Sequence, residues 1–353
     1  MGNSTENHFN NQQSNKETVD IATYINYPTE FHIFDTKWVP SFPTKFVTIG
    51  ATSKSSPRGF IQISELNNDR LDLVKMADKG SAFRCATFGG TIRNSSSLSL
   101  GNFHGKLQIF DIERFDFPIY DVQAHDGIVN CVDGMGNGDG VEVVTGGQDG
   151  LVKVFDPRQG APVVCISPVK KEDGGSGCRD CWTVTFTDGQ MHSSRAVCAG
   201  YENGDIKVID LRILKERYSH NVGSGVCKVG CERKYEETRR HVAGTVDGSI
   251  HLYDVNKNQH NHVRVAQSSS IWSVNYLPQL ENVFASVGDS IDIWRECDPS
   301  SSLPDPKSPI ELLTKIHLSP AGVNCFDWNP DFKGLGVCGS FDQKIRVLVT
   351  SGL

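Results

Sequence analysis

One outline recurs seven times along this chain: a small polar turn, often Asp-Gly or Asn-Gly, then alternating apolar residues, then an aromatic and often an acid. The clear copies read RGFIQISE ending at Glu65, HGKLQIFD at Asp111, DGLVKVFD at Asp156, NGDIKVID at Asp210 and DGSIHLYD at Asp254. Weaker copies are GDSIDIWR ending at Arg295 and DQKIRVLV ending at Val349. Successive intervals are 46, 45, 54, 44, 41 and 54 residues. No other feature constrains the fold as much. A repeat of that period is one supersecondary unit that cannot bury its apolar face alone and must stack on its neighbours.

Alternation at period two, with β-branched residues enriched, makes each copy a strand, and the turn before it marks a hairpin because Asp, Asn and Gly tolerate positive φ. An apolar run precedes most of the turns: FVTIG (46–50), EVVTGG (142–147), AVCAG (196–200), HVAGT (241–245) and GVCGS (336–340). Before these stands another short strand, in FDTKWVP, FRCATFG, NCVDGMG, CWTVTF, VCKVG, IWSVNYLP and NCFDWNP. A fourth strand after the acid completes four strands per ~45 residues. The outline resembles the WD repeat, and the resemblance implies an all-β chain: a seven-bladed WD-repeat β-propeller over residues 21–353. Blade three matches best, with His125, Thr145, Asp149 and Phe155. In WD propellers a His–Ser/Thr–Asp–Trp set clamps the strands of a blade by hydrogen bonds. Phe155 has no N–H to donate, so this clamp is expected to be incomplete.

Ring closure needs one more strand, because the last blade has only three before the chain stops at Leu353, and an open blade would leave sheet edges unpaired. The unassigned strand IATYINY (21–27) is expected to supply the outer strand of blade seven. Residues 1–20, rich in Asn, Gln, Ser and charge, are read as a disordered tail. KKEDGGSG (170–177) and DPSSSLPDPKSP (298–309) are read as long loops that lengthen two of the intervals.

The net charge of −7 excludes a chain whose main task is neutralising phosphates, and the most basic stretch, ERKYEETRRH (232–241), is diluted by glutamates and read as a solvated loop or edge. The 11 cysteines follow no secretory leader, and nowhere do ~18 apolar residues run together. Reduced thiols and a cytoplasmic setting are therefore expected. MGNSTE approaches a myristoylation signal but carries Glu6 where Ser or Thr is required.

Cys178-x-x-Cys181 has the spacing of zinc and thiol–disulfide sites. Cys181 opens an inner strand, however, and Cys85, Cys131, Cys227 and Cys325 recur near the same point in other blades. Buried thiols packing as compact hydrophobes account for the recurrence. Zinc would need two further ligands, and Cys227-x-x-x-Cys231 lies one blade away. GMGNGDG (134–140) fails both phosphate-loop patterns, having Asp139 at the third Gly position and no Lys-Ser/Thr. His260-x-His262, in QHNH (259–262), reads as a polar turn without a partner carboxylate motif. No catalytic residue, metal or cofactor is expected, and the chain is expected not to be an enzyme.

Propellers bind instead. The residues that open each inner strand ring one mouth of the channel: Phe34, Arg84, Asn130, Trp182, Cys227, Trp272 and Asn324. Arg84, Trp182 and Trp272 are the strongest candidates for protein contact, since Arg and Trp dominate interface energetics, although the tryptophans also suit a core.

FDTKWVP (34–40), TGGQDGLVKVFDPRQ (145–159), RDCWTV (179–184), CAGYENGDIKVIDLR (198–212) and SFDQKIRVLV (340–349) go beyond a generic repeat. Together they resemble the Monad-like WD-repeat family, described as dynein axonemal assembly factors. That resemblance implies a cytoplasmic adaptor of a prefoldin-like, RuvB-like-ATPase co-chaperone assembly. With heat-shock chaperones, it would help axonemal dynein heavy chains fold before delivery to cilia or flagella. A monomer is expected, with no nucleic-acid or membrane partner. The alternative comes from FDPR (155–158) and IDLR (209–212), which approach the WDxR box of substrate receptors for cullin-type ubiquitin ligases but lack its Trp. Arg158 and Arg212 could equally pair with neighbouring acids.

Overall fold

In a computed structural model, residues 18–52, 58–90, 97–135, 141–167, 179–187, 195–232, 240–254, 259–264, 269–297 and 308–353 are described. They form seven four-stranded antiparallel sheets. Six blades take their strands in chain order. Their inner strands are His32–Trp38, Phe83–Phe88, Val129–Gly134, Cys181–Thr187, Val226–Cys231 and Ser273–Tyr276. Blade seven begins at Val323–Trp328 and is completed by the first strand of the chain, Asp20–Pro28, which pairs with Lys344–Ser351. The closing strand thus comes from the expected place but starts at Asp20, opposite Ser351, one residue inside the segment read as tail. Residues 1–17 and both predicted long loops, apart from Ser308 and Pro309, lie outside the described residues.

The turns behave as their residues require. Gly150 and Gly204 stand at φ 73° and 89°, where a Cβ would be strained. In the weak seventh copy Gln343 adopts φ 60° at the corresponding turn, so the backbone shape is kept without the glycine that advertises it.

Among the described residues the buried apolar side chains fall into seven clusters, one at each seam between blades. The closing seam joins Ile25, Ile345 and Val347 of blade seven to Ile33, Trp38 and Phe46 of blade one. Packing there repeats a knob-in-hole device. Ile33, Val129, Cys181, Val226 and Ile271 sit just before the strand-opening residue of their blades. Each presses on a second-strand glycine of the preceding blade: Gly339, Gly101, Gly146, Gly200 and Gly244 in that order. A Cβ at any of the five would lie within 2.7 Å of the knob. Cys181 is therefore the knob of blade four, and the recurrence of Cys has a second cause. Cys85, Cys131 and Cys325 are register partners of Gly101, Gly146 and Gly339, where a small side chain lies flat against the bare backbone.

The inner strands are edge strands, and their channel-side backbone groups need partners. Neighbouring blades supply them. Asp35 accepts from the Ala86 amide at 3.1 Å, Asp133 from Phe186 at 2.9 Å, Asp327 from Trp38 at 2.9 Å and Thr183 from Val229 at 3.2 Å. Asn275 donates to the Phe326 carbonyl at 2.9 Å. Between Asp35 and Asp327, Lys37 is held above its ordinary pKa: burial opposes the charge, and the two carboxylates outweigh it.

Candidate functional site: the channel mouth

The predicted mouth residues share one backbone device. In six blades the strand register slips across one residue, and that residue is Phe34, Arg84, Asn130, Trp182, Cys227 or Asn324. A bulge leaves the extra residue unpaired and re-aims its side chain. Trp272 holds the equivalent place, immediately before Ser273–Tyr276. Trp272 is exposed and the other six are half-buried, and of these Phe34 packs against the core at the seam of blades one and two.

Their environments differ. Arg84 has no carboxylate partner among the described residues. Burial pushes the Cys227 thiol of blade five up to about 12, and the Arg84 guanidinium, acting from blade two, pulls the other way. Trp182 lies over Gly225, where a Cβ would stand 2.6 Å from the indole. Asn324 donates its amide to the Ile33 carbonyl at 2.6 Å and so serves the closing seam more than the surface. Asn130 borders Asp180, whose carboxyl is raised by burial and by the charge of Glu202.

A second ring surrounds the first, and the sequence reading missed it. In five blades the residue after the second strand bonds through its amide to the carbonyl two positions before the bulge: Phe103 to Ala82, Gln148 to Ile128, Glu202 to Asp180, Val246 to Gly225 and Phe341 to Gly322. Aligning the repeats by the end of the second strand would have found these residues. Phe103 meets Phe34 with ring centroids 5.3 Å apart, and Phe341 meets Trp272 at 6.0 Å. Trp272, Phe341 and Val246 form an exposed apolar arc over blades five to seven, and the carboxylates of Asp180 and Glu202 stand on the adjoining blade four. This arrangement presents aromatic surface beside charge; among the described residues it brings together no nucleophile, base and oxyanion donors.

In blade three, His125 is hydrogen-bonded to both Asp149 and Thr145. Asp149 cannot donate, so His125 Nδ1 carries the proton it shares with Asp149 Oδ1 at 2.8 Å; in the neutral ring, Nε2 then accepts from the Thr145 hydroxyl at 2.7 Å. Burial opposes the Asp149 charge, but His125 and the Asp126 and Leu151 amides hold its carboxyl below the usual range. Phe155 is fully buried and donates nothing. The missing half occurs in blade six, where Trp294 Nε1 donates to Ser286 Oγ at 2.9 Å.

The remaining candidates resolve as follows. Cys178 lies outside the described residues; the Cys181 thiol is driven well above its ordinary range by burial, the reverse of a reactive or ligating thiol. Arg158 pairs with Asp156 at 2.6 Å, and Arg212 and Arg217 both reach Asp210, at 3.4 and 2.7 Å. Both WDxR-like arginines thus bond within their own blades. Two readings need correction. Residues 233–239 lie outside the described residues, but His241 at the end of the basic stretch is buried in a second strand rather than solvated. His260 and His262 belong to an outer strand, Gln259–Arg264, not to a turn.

Fold and mouth together define a WD-repeat β-propeller of the scaffold kind, and the WD domain, G-beta repeat model matches residues 117–156 and 311–347. The similarity extends along the whole chain. Dynein axonemal assembly factor 10 of Xenopus tropicalis is 36% identical over 358 residues, 96% of this chain and 98% of the relative. The Homo sapiens protein of that name shows the same identity and coverage, and the Chlamydomonas reinhardtii protein is 34% identical over 94% of this chain and 97% of its own. The chain belongs to the dynein axonemal assembly factor 10 family.

Proposed function

We propose that this chain is a non-catalytic scaffold for assembly of axonemal dynein, acting in the cytoplasm through the propeller mouth. The carrying observation is end-to-end identity of 36% with proteins named for dynein axonemal assembly. The two mouth rings give the reading a surface: Arg84, Trp182 and Trp272, with Phe341 and Val246 beside them, offer a cation and aromatic anchors on a rigid frame. On this reading the partners are a RuvB-like-ATPase and prefoldin-like co-chaperone assembly with a heat-shock chaperone, and the client is a dynein heavy chain. The scaffold acts by raising the effective concentration of client at chaperone.

The test is affinity capture from ciliated or flagellated cells of the full chain tagged at its N-terminus, beside the variants R84E and W272A. Capture of RuvB-like ATPases, prefoldin-like subunits and dynein heavy chains by the parent, weakened by either variant, supports the reading. Capture of a cullin and its adaptor in their place would falsify it in favour of a ligase receptor. Undiminished capture by both variants removes the mouth from the proposal.

A further inference from the structure

Four imidazoles gather at the outer rim of the seam between blades four and five, far from any role given above. Strand Ser249–Asp254 pairs with Gln259–Arg264 so that His251 faces His262 and Tyr253 faces His260. Period two sets His251, His260 and His262 on one face of that sheet. The outer strand of blade four, Lys215–Asn221, brings His220 over them from across the seam. Ring centroids are 4.3 Å apart for His220–His260, 4.7 Å for His251–His262 and 5.3 Å for His251–His260. Tyr218 and Tyr253 wall the inner side of the group, their rings 5.4 Å apart. His251 is buried, His220 and His260 are half-buried and His262 is exposed, so the group is open to solvent on one side.

The spacing is informative. With metal–nitrogen bonds of 2.0–2.1 Å, two imidazoles on one tetrahedral ion have ring centroids about 5 Å apart. The three separations here bracket that value. A His-x-His pair on one strand with a third His directly opposite on its partner also lets three rings reach one ion without backbone movement.

We propose that His251, His260 and His262, with His220 as fourth ligand, bind a first-row transition-metal ion of the zinc class and so clasp blade five to blade four. Among the described residues no three donors already converge on one centre. The reason is visible: His251 Nδ1 and His260 Nε2 lie 3.1 Å apart in a hydrogen bond to each other. An ion must open that bond and turn the two rings, the buried His251 and the half-buried His260. All-imidazole donor sets suit zinc, copper and nickel rather than magnesium or calcium.

Zinc titration of the full chain, carrying no added histidines, tests this by calorimetry and by thermal melting, with cobalt as the spectroscopic probe. One equivalent of zinc should bind, raise the melting temperature, and give with cobalt the visible absorption of a four-coordinate ion. H262N alters an exposed side chain and should weaken binding at least about tenfold. H260N/H262N should abolish both binding and the melting shift, while H317N, at an exposed site elsewhere, should change neither. H220N should keep part of the affinity but lose the melting shift, because it removes the ligand from the opposite blade. A parent that binds no stoichiometric zinc, or an H260N/H262N variant that binds as tightly as the parent, overturns the proposal.

Discussion

The knob-in-hole seam makes a quantitative claim at Gly101 and Val129. A Cβ at Gly101 would stand 2.6 Å from Val129 Cγ1, 2.8 Å from Val129 Cβ and 2.7 Å from Cys85 Sγ. Val129 and Leu100 are fully buried, so neither the knob nor the second strand can retreat into solvent. G101A should therefore cost about 2–3 kcal/mol, the range for overpacking an interior that must shift to accept a methyl. V129A removes two methyl-sized groups from the same contact and should cost about 2 kcal/mol, from lost transfer energy with a small cavity term. The two changes fill and empty one space, so the double variant should be less destabilised than the sum by about 1–2 kcal/mol. Urea denaturation of the four proteins, read as midpoint and slope by circular dichroism, measures this coupling. Gly160, with nothing within 4 Å of an added Cβ, provides the control: G160A should stay within about 0.5 kcal/mol of the parent. Additive costs at Gly101 and Val129, or a G101A variant as stable as G160A, would refute the packing argument.

Three further outcomes are expected. H125A leaves Thr145 and Asp149 without their shared partner and should cost about 2–3 kcal/mol, whereas S286A in blade six removes only the acceptor of Trp294 and should cost about 1–2 kcal/mol, both measured by urea unfolding. Burial lowers the pKa of His241 to about 4 against about 6.5 in the unfolded chain, so the unfolded state binds the extra proton between those values. Stability should be fully present above pH 6.5 and fall by about 3 kcal/mol as pH drops towards 4, a loss that H241L should reduce; an unchanged acid profile in H241L would remove His241 as the cause. Deleting residues 1–28 strips the strand that covers Lys344–Ser351 and exposes a sheet edge, so the truncated chain should self-associate in light scattering where the parent does not.

Local pattern made the blades legible. Period-two alternation and turn residues gave strands, their recurrence gave seven sheets, and the unpaired edge of blade seven required the strand that Asp20–Pro28 supplies. The positions that open equivalent strands were legible for the same reason, and in six blades they fall at equivalent bulges. The second set of mouth residues escaped because Phe103, Gln148, Glu202, Val246 and Phe341 mix aromatic, amide, acidic and aliphatic side chains, so no residue signature unites them. The histidine group escaped for a deeper reason. QHNHVR carries no apolar alternation, because an outer strand is exposed on much of its surface, and its relation to His251 and His220 exists only once strands pair and blades stack.

The division of labour within each inner strand explains how a scaffold of this kind can change its mouth without losing its ring. The residue before the bulge is a knob whose size is fixed by a glycine in the preceding blade, as Cys181 is by Gly146. The residues after it, such as Asp133 and Asp327, are fixed by a neighbour's backbone amide. The bulge residue between them answers to neither, because the register slip takes it out of the ladder. Phe34, Arg84, Trp182 and Trp272 differ in size, charge and polarity while the backbone beneath them repeats, although Phe34 also packs on the seam of blades one and two and Trp182 on Gly225. Asn324 is the exception, since its side chain holds the Ile33 carbonyl at the seam where the chain ends meet. Incomplete clamps in blades three and six fit the same logic. Each blade leans on two apolar seams, and a closed ring shares the load of a missing hydrogen bond among them.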